Sequence, residues 1–405
     1  MRADLERAFW AAVDAAHPRK IMRAHLPPRP PGRATVFAVG KAAVPMAEEV
    51  EALWGQDVQG MVIAPHGVQA NLAALQLHTA AHPFPDARGA KSASALLAAL
   101  KAVPAGEEVL FLLSGGASSL LLATAEGPTP EALQAATKAL LNGGADIHAL
   151  NTVRRVLSPL LGGGSAAVCP GRVSTLAISD VVGDDPIAIG SGPTVANPTS
   201  AADAEALLDR FGGASPEVLT AIRTRAAAAQ SVPVDSDYHI IASGPQSLKA
   251  AEACLRALGH DATITADSQV GLADDNALML AERIRRRPEG RAQVWLMGGE
   301  VDVLVRGSGR GGRNVQFAAR LAQALDGVPG WSFLAADTDG QDGNAPNAGA
   351  FCDGTSWQRA RDRGLDPDAF LDRNDAHSLF EALDDAFITG PTGTNVNDFR
   401  ALAFL

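Results

Sequence analysis

Short apolar runs punctuate the chain, and each ends in a cluster of small or polar residues. Thr35–Val39 stops at Gly40-Lys41 and leads into a helical pattern over residues 42–54. Gly60–Ala64 is a second run. Val109–Leu113 ends in Ser114-Gly115-Gly116-Ala117-Ser118-Ser119. Val173–Ser179 ends in Asp180, followed by Gly183-Asp184-Asp185. Near-continuous apolar strands that alternate with amphipathic stretches predict a parallel sheet with helices on both faces. Ligands of such sheets bind outside the carboxyl ends of the strands. The chemistry is therefore expected in the small and polar clusters.

The Ser-Val-Pro-Val-Asp-Ser-Asp stretch near residues 230–237 predicts a boundary, with one domain over 1–235 and a second over 236–405. Beyond it come Tyr238–Ala242, a helix over residues 247–258, Val294–Met297 before Gly298-Gly299-Glu300, and Val301–Val305 before a glycine-arginine turn. Trp331–Ala335 then precedes Asp337-Thr338-Asp339-Gly340, and Phe387–Ile388 precedes Thr389–Asn395. This second series is again α/β.

Composition narrows the function classes. The 405 residues are 47% apolar, enough for two cores, and carry a net charge of −11. That balance argues against nucleic acid or an anionic membrane as partner, but a local basic site can still hold a small anion. Cys169, Cys254 and Cys352 lie too far apart for a zinc or disulfide pattern, which fits a reducing, cytoplasmic setting. The first residues read as a helix rather than a signal peptide, and no apolar run reaches the length of a membrane span. Only six lysines occur, so one at a strand end draws notice.

Lys41 is such a lysine. Gly40-Lys41 is not a Walker A loop, yet a lysine at the mouth of a helix reaches phosphate with help from the helix dipole. Ser114, Gly115, Gly116 and Ser118 form a small-residue turn able to offer amides and hydroxyls to an anion. Its structural alternative is a plain strand–helix turn with serine caps. Gly307, Gly309 and Gly312 match a G-x-G-x-x-G pattern. The acidic residue expected about 20 positions on is missing, and Arg310 and Arg313 interrupt the turn. Glycines plus guanidinium groups at the start of a helix suit a phosphate cluster; the structural alternative is a tight turn with solvated arginines. Asp180, Asp184 and Asp185, the Asp337–Asp342 group and Glu300 all lie at strand ends. One or two such carboxylates can hold hydrated Mg²⁺ beside phosphates. His82, within His82-Pro83-Phe84-Pro85-Asp86, reads as part of a rigid structural turn.

Together these strings resemble the class II glycerate kinases, a family whose members also carry the name hydroxypyruvate reductase. The resemblance runs from about residue 35 onward. It rests on Val39-Gly40-Lys41-Ala42-Ala43, Leu113–Ser118, Asn151-Thr152-Val153-Arg154, Ile178-Ser179-Asp180 and Ser191-Gly192-Pro193-Thr194. In the second half it rests on Gly298-Gly299-Glu300, Gly309–Asn314, Thr338–Gly343 and Thr389–Asp398. It implies a Rossmann-like N-terminal domain, a smaller α/β C-terminal domain and an active site between them. It also implies ATP, Mg²⁺ and D-glycerate, with 2-phosphoglycerate as product. The family's catalytic lysine and arginine map onto Lys41 and Arg313.

The expected assignment follows from both readings. Lys41 and Arg313 meet the moving phosphoryl group. Gly40, Ser114, Gly115, Gly116, Ser118, Gly309, Gly311, Gly312 and Asn314 cradle the nucleotide. Asp180, Asp185 and Glu300 are the metal candidates, and Asp180 and Asp339 the catalytic carboxylates, with Asp339 the candidate base. Arg154 and Asn395 are candidates for the acceptor, Arg154 for its carboxylate. The chain departs from the family where Leu161-Gly162-Gly163-Gly164 replaces Lys-Gly-Gly-Arg, and at Ser308, Asp337 and Asn374-Asp375-Ala376-His377. Two alternatives stand beside the kinase: an NAD(P)H-dependent hydroxypyruvate reductase and a non-catalytic phosphometabolite-binding regulator. A monomer and a homodimer are both compatible with the sequence.

Overall fold

The apolar runs become the inner strands of two six-stranded sheets. A computed structural model describes residues 1–122, 127–228, 236–287 and 292–405 of the chain. The first sheet contains β1 (Ala34–Val39), β2 (Val58–Pro65), β3 (Gln76–Ala80), β4 (Glu108–Leu113), β5 (Arg172–Ile178) and β6 (Asp237–Ala242). Its strand order is β3-β2-β1-β4-β5-β6. The β1–β2, β2–β3, β1–β4 and β4–β5 pairings are all parallel. This is the Rossmann strand order, whose reversal between β1 and β4 leaves a crevice at their carboxyl ends. β1 is buried at every position and β4 at five of six, which is why both read as continuous apolar runs.

The second sheet contains β7 (Ala262–Gln269), β8 (Val294–Gly299), β9 (Trp331–Asp337), β10 (Gly349–Asp353), β11 (Ala386–Phe387) and β12 (Asp398–Phe404). Their order is β11-β10-β9-β12-β8-β7. It is a mixed sheet: β7 runs parallel to β8, whereas β12 lies antiparallel to both β8 and β9. Val301–Val305 is not a strand. It forms an irregular segment touching Leu272 through a single bridge at Asp302, with Leu304 and Val305 exposed. The glycine-arginine turn therefore follows a loop.

Ile21–Ile241 form one compact unit, and Met1–Lys20 join Ala242–Leu405 in the other. A boundary at 235/236 would leave the first helix, Arg2–Asp14, with the wrong half. Its apolar stripe of Leu5, Ala8, Phe9, Ala12 and Val13 is buried against Leu248, Ala251, Leu255, Phe387 and Phe399. Residues 229–235, where the linker was read, lie outside the described residues.

Candidate functional site

In the unit Ile21–Ile241 the chemistry gathers where β1 and β4 end side by side. Val39 is paired with Leu113, so the turns after them are adjacent. Lys41 N donates to Gly115 O at 2.9 Å, and Ala42 N donates to Ser114 Oγ at 2.9 Å. Gly40 has φ +127°, and a Cβ there would lie 2.3 Å from Ser114 Oγ, so only glycine lets the two turns meet. A Cβ at Gly115 would fall 1.6 Å from Asp180 Oδ2. The Asp180 carboxylate, at the end of β5, therefore lies directly against this turn. At Gly116, φ +82°, a Cβ would stand 3.0 Å from the His82 ring and 3.5 Å from Lys41 Cγ. The Gly115 and Gly116 amides have no protein acceptor among the described residues. Lys41, Asp180, Gly115, Gly116 and Ser114 are thus brought together, and His82 joins them.

Further along the same turn, Ser118 Oγ is 2.8 Å from Ser191 Oγ, and Ser191 donates to Asn151 Oδ1 at 3.1 Å. Ser191 has φ +60° between Gly190 and Gly192, which are also left-handed. A non-glycine residue in that region costs of order 1 kcal/mol or more and marks a position held for a purpose. Arg154 Nη1 lies 3.5 Å from Ser118 Oγ, and its Nε is buried without a partner. Burial pulls the Arg154 guanidinium down to about 10. No carboxylate pairs with it among the described residues. Arg154 as a whole is half-buried, and a buried idle donor on a cation is costly unless an anion completes it.

The aspartates after β5 separate in role. Asp185 Oδ1 accepts Ile187 N at 3.1 Å and is exposed. Asp184 sits at φ +54°, and its Oδ1 is buried with no partner. Among the described residues no group of three or more His, Cys, Asp or Glu side chains is arranged around a metal position. Of the expected set, Asp180 and Asp185 lie in Ile21–Ile241 and Glu300 in the other unit. Asp180 and the idle oxygen of Asp184 fit a cation held by one or two protein carboxylates and otherwise by phosphate and water.

In the other unit, Arg313 opens the helix Arg313–Ala324. Its Nε donates to Asp398 Oδ1 and its Nη2 to Asp337 Oδ2, each at 2.8 Å, with Glu300 Oε1 3.6 Å from Nη1. Burial works against its charge, but Asp398, Asp337 and Glu300 together hold its pKa well above the usual arginine value. Asp398 also accepts Asn314 Nδ2 at 2.7 Å and pairs with the buried Arg400. Asp339 is half-buried beside this cluster. Its Oδ1 accepts Gln341 N at 2.9 Å, and its own N–H donates to Asp337 Oδ1. Asn395 is buried and accepts Asn397 N.

The turn before Arg313 differs from the expected phosphate cradle. Gly307 N donates to Asn374 Oδ1, Gly309 N to Arg373 O, Arg310 N to Asp375 Oδ1 and Gly311 N to Asn344 Oδ1. Asn314 N and Val315 N are both taken by Asp342. Gly309, Gly311 and Gly312 are small because the chain at Asn374–His377 and Asp342-Gly343 crosses within 2.4–3.3 Å of where a Cβ would stand. The Gly309 and Gly311 amides therefore have protein acceptors, and the Asn314 side chain donates to Asp398 with its Oδ1 left buried. Asp342 caps the helix where an anion was expected.

Comparison with known proteins places these features in a lineage. A family model described as a domain of unknown function, DUF4147, matches residues 4–225, and the MOFRL family model matches residues 293–398. The D-glycerate 2-kinase of Thermotoga maritima is 33% identical, covering 96% of this chain and 94% of its own length. This chain belongs to the glycerate 2-kinase family. The crystal structure of a Thermotoga maritima glycerate kinase superposes with a TM-score of 0.86 at 32% identity, covering 98% of both chains. A protein of Agrobacterium vitis, provisionally named a hydroxypyruvate reductase, is 39% identical over 99% of this chain and 94% of its own. Both of the names that the resemblance carried are thus present among its relatives.

Sequence reasoning missed three residues of this glycerate 2-kinase family member. Asp184 was grouped with Asp180 and Asp185 but left out of the metal candidates, although Gly183 before it was a cue to a left-handed turn. Ser191 stood in a quoted string without a role. His82 looked structural because nothing in the sequence tells which turn a Pro-Phe-Pro segment faces.

Proposed function

We propose that the protein transfers the terminal phosphoryl group of ATP to the 2-hydroxyl of D-glycerate, with Mg²⁺. One observation carries this reading: among the described residues Lys41, two amides without acceptors and a half-buried guanidinium with an idle Nε lie at one end of a Rossmann-type sheet. The names of the Thermotoga maritima relative and structure favour the same activity. Gly115, Gly116 and Lys41 would take the phosphates, and Arg154 with Ser118 the carboxylate of the acceptor. Asp180 and Asp184 would hold Mg²⁺, which supplies charge neutralisation between phosphates. Arg313 is proposed as the second cation on the transferred group, and Asn395 as an acceptor contact. Phosphoryl transfer is governed by positioning and by electrostatic stabilisation, which is what these residues provide.

A dinucleotide reading is disfavoured by the same sheet. A ribose-binding Rossmann site needs an acidic residue at the end of the second strand, and β2 ends in Pro65-His66. The G-x-G-x-x-G match lies in the other unit, after a loop, with the Gly307 and Gly309 amides engaged.

The test is a coupled assay of ADP release with ATP, Mg²⁺ and D-glycerate, with the phosphorylated carbon identified by NMR. Lys41→Ala and Arg313→Ala are each expected to lower kcat on the order of 10²–10³-fold while remaining folded. Near wild-type rates in both would refute the assignment.

A further inference from the structure

The turn between β3 and the helix Ala87–Lys101 is held with unusual firmness for an exposed loop. Asp86 caps that helix through Gly89 N at 2.7 Å and reaches back to Ala81 N at 3.3 Å. Its other oxygen is 3.0 Å from His66 Nε2, and the opposite ring nitrogen of His66 is 3.1 Å from Thr79 Oγ1. Gln134 Nε2 donates to Pro85 O at 2.6 Å, and His66 N donates to Ala80 O. Pro83 and Pro85 fix two further backbone torsions. His66 is therefore consumed in bracing the turn.

His82 is what the brace presents. Its ring lies 3.0 Å from the point where a Gly116 side chain would begin, and Lys41 Cγ lies 3.5 Å from that same point. The turn leaves the carboxyl end of β3, the same edge of the sheet that carries Gly40 and Ser114. An exposed imidazole thus stands with the lysine over a glycine pair whose amides await an anion. Imidazole is the side chain suited to exchanging a proton near neutral pH. Asp339, the carboxylate singled out from the sequence as base, already accepts Gln341 N and belongs to the other unit.

We propose that His82 is a catalytic residue that removes the proton from the acceptor hydroxyl. This rests on the phosphoryl-transfer reading. The acceptor O–H bond breaks, its proton goes to an imidazole nitrogen, and its oxygen forms the new O–P bond. The bond between the phosphorus and the bridging oxygen breaks, with its electron pair leaving on the nucleoside diphosphate. The proton then passes from His82 to solvent, so the enzyme returns unchanged.

The experiment measures kcat and KM of the full chain and of its His82→Gln and His82→Ala variants, with thermal melts to compare folding. The expected result is a kcat loss on the order of 10²–10⁴-fold with both KM values little changed. Free imidazole should restore part of kcat to His82→Ala and none to Lys41→Ala. The glutamine variant keeps the size and hydrogen-bonding capacity of the ring without its basicity, so it separates proton transfer from folding. Wild-type rates in His82→Gln, a loss confined to KM for ATP, or no rescue by imidazole would each overturn the proposal. A wild-type chain that phosphorylates glycerate while the variants keep their rate defeats this inference alone. A wild-type chain that does not phosphorylate glycerate defeats the kinase reading and this inference with it.

Discussion

Arg154 is the residue where burial and charge conflict most openly. Its idle Nε and absent carboxylate partner make it a receptor for an anion from outside the protein. Arg154→Met is expected to raise KM for glycerate by about 10–100-fold, the worth of a charge-assisted hydrogen bond. KM for ATP should change little, which steady-state kinetics with each substrate varied will show. Gly115→Ala is expected to push Asp180 aside, because the new Cβ would stand 1.6 Å from its oxygen. Activity should then fall at least tenfold, and extra Mg²⁺ should recover part of it in a titration. Asp342 bears on stability. Burial, opposed by the Val315 and Asn314 amides and by Arg313, pushes its carboxyl up to about 6. An unfolded aspartate titrates near 4, so the folded chain binds the extra proton between about pH 4 and 6. Stability from this group is therefore full below pH 4 and is lost as pH rises to 6, by about 3 kcal/mol in all. Urea denaturation of Asp342→Asn across that range is expected to lack this part of the slope. Of these residues, Asp180 could be read from the chain because strand ends follow from apolar runs, whereas Arg154 was singled out through the family resemblance. Asp342 could not, since nothing local distinguishes a carboxylate that caps a distant helix from one that binds metal.

Elements were legible in proportion to how fully they are buried. β1, β4, β5 and β9 stand out as continuous apolar runs because both of their faces are covered. β7 escaped notice because Ala-Thr-Ile-Thr-Ala-Asp-Ser-Gln is the half-exposed edge of its sheet. β12 hid for another reason: it is wholly buried yet contains Asp398 and Arg400, the Asp398 carboxylate pairing with both Arg400 and Arg313. Val301–Val305 misled in the opposite sense, with strand-like residues left in a solvent-facing loop. The first helix carries its own prediction. Phe9 meets Phe387 and Phe399 edge-on at 5.0 and 5.7 Å and is fully buried. Phe9→Ala is expected to cost about 3–5 kcal/mol. Hydrogen exchange should show the loss in residues 242–405 and leave the first sheet's core protected.

At the scale of the molecule, two units divide the labour differently from what the glycine motifs suggested. Among the described residues, Ile21–Ile241 contains the Gly115 and Gly116 amides without acceptors and Arg154 without a carboxylate partner, whereas Arg313 of the second unit is already paired with carboxylates. Among the described residues no helix is long and apolar enough to cross a membrane. The absence of an acidic residue after β2 predicts the outcome of a simple discrimination. NADH or NADPH with hydroxypyruvate is expected to show no protein-dependent loss of absorbance at substrate levels that saturate the kinase assay. Steady oxidation of either cofactor would favour the reductase name.

The union of Met1–Lys20 with Ala242–Leu405 gives the polypeptide a particular order of assembly. Ribosomes release the amino end first, and domains generally fold as units while synthesis proceeds. Residues 21–241 can collapse as soon as they emerge. The helix Arg2–Asp14 must wait, its apolar stripe uncovered, until β12 has been translated. Closure of the second core is thus the later event, since it needs residues from both ends of the stretch Met1–Leu405.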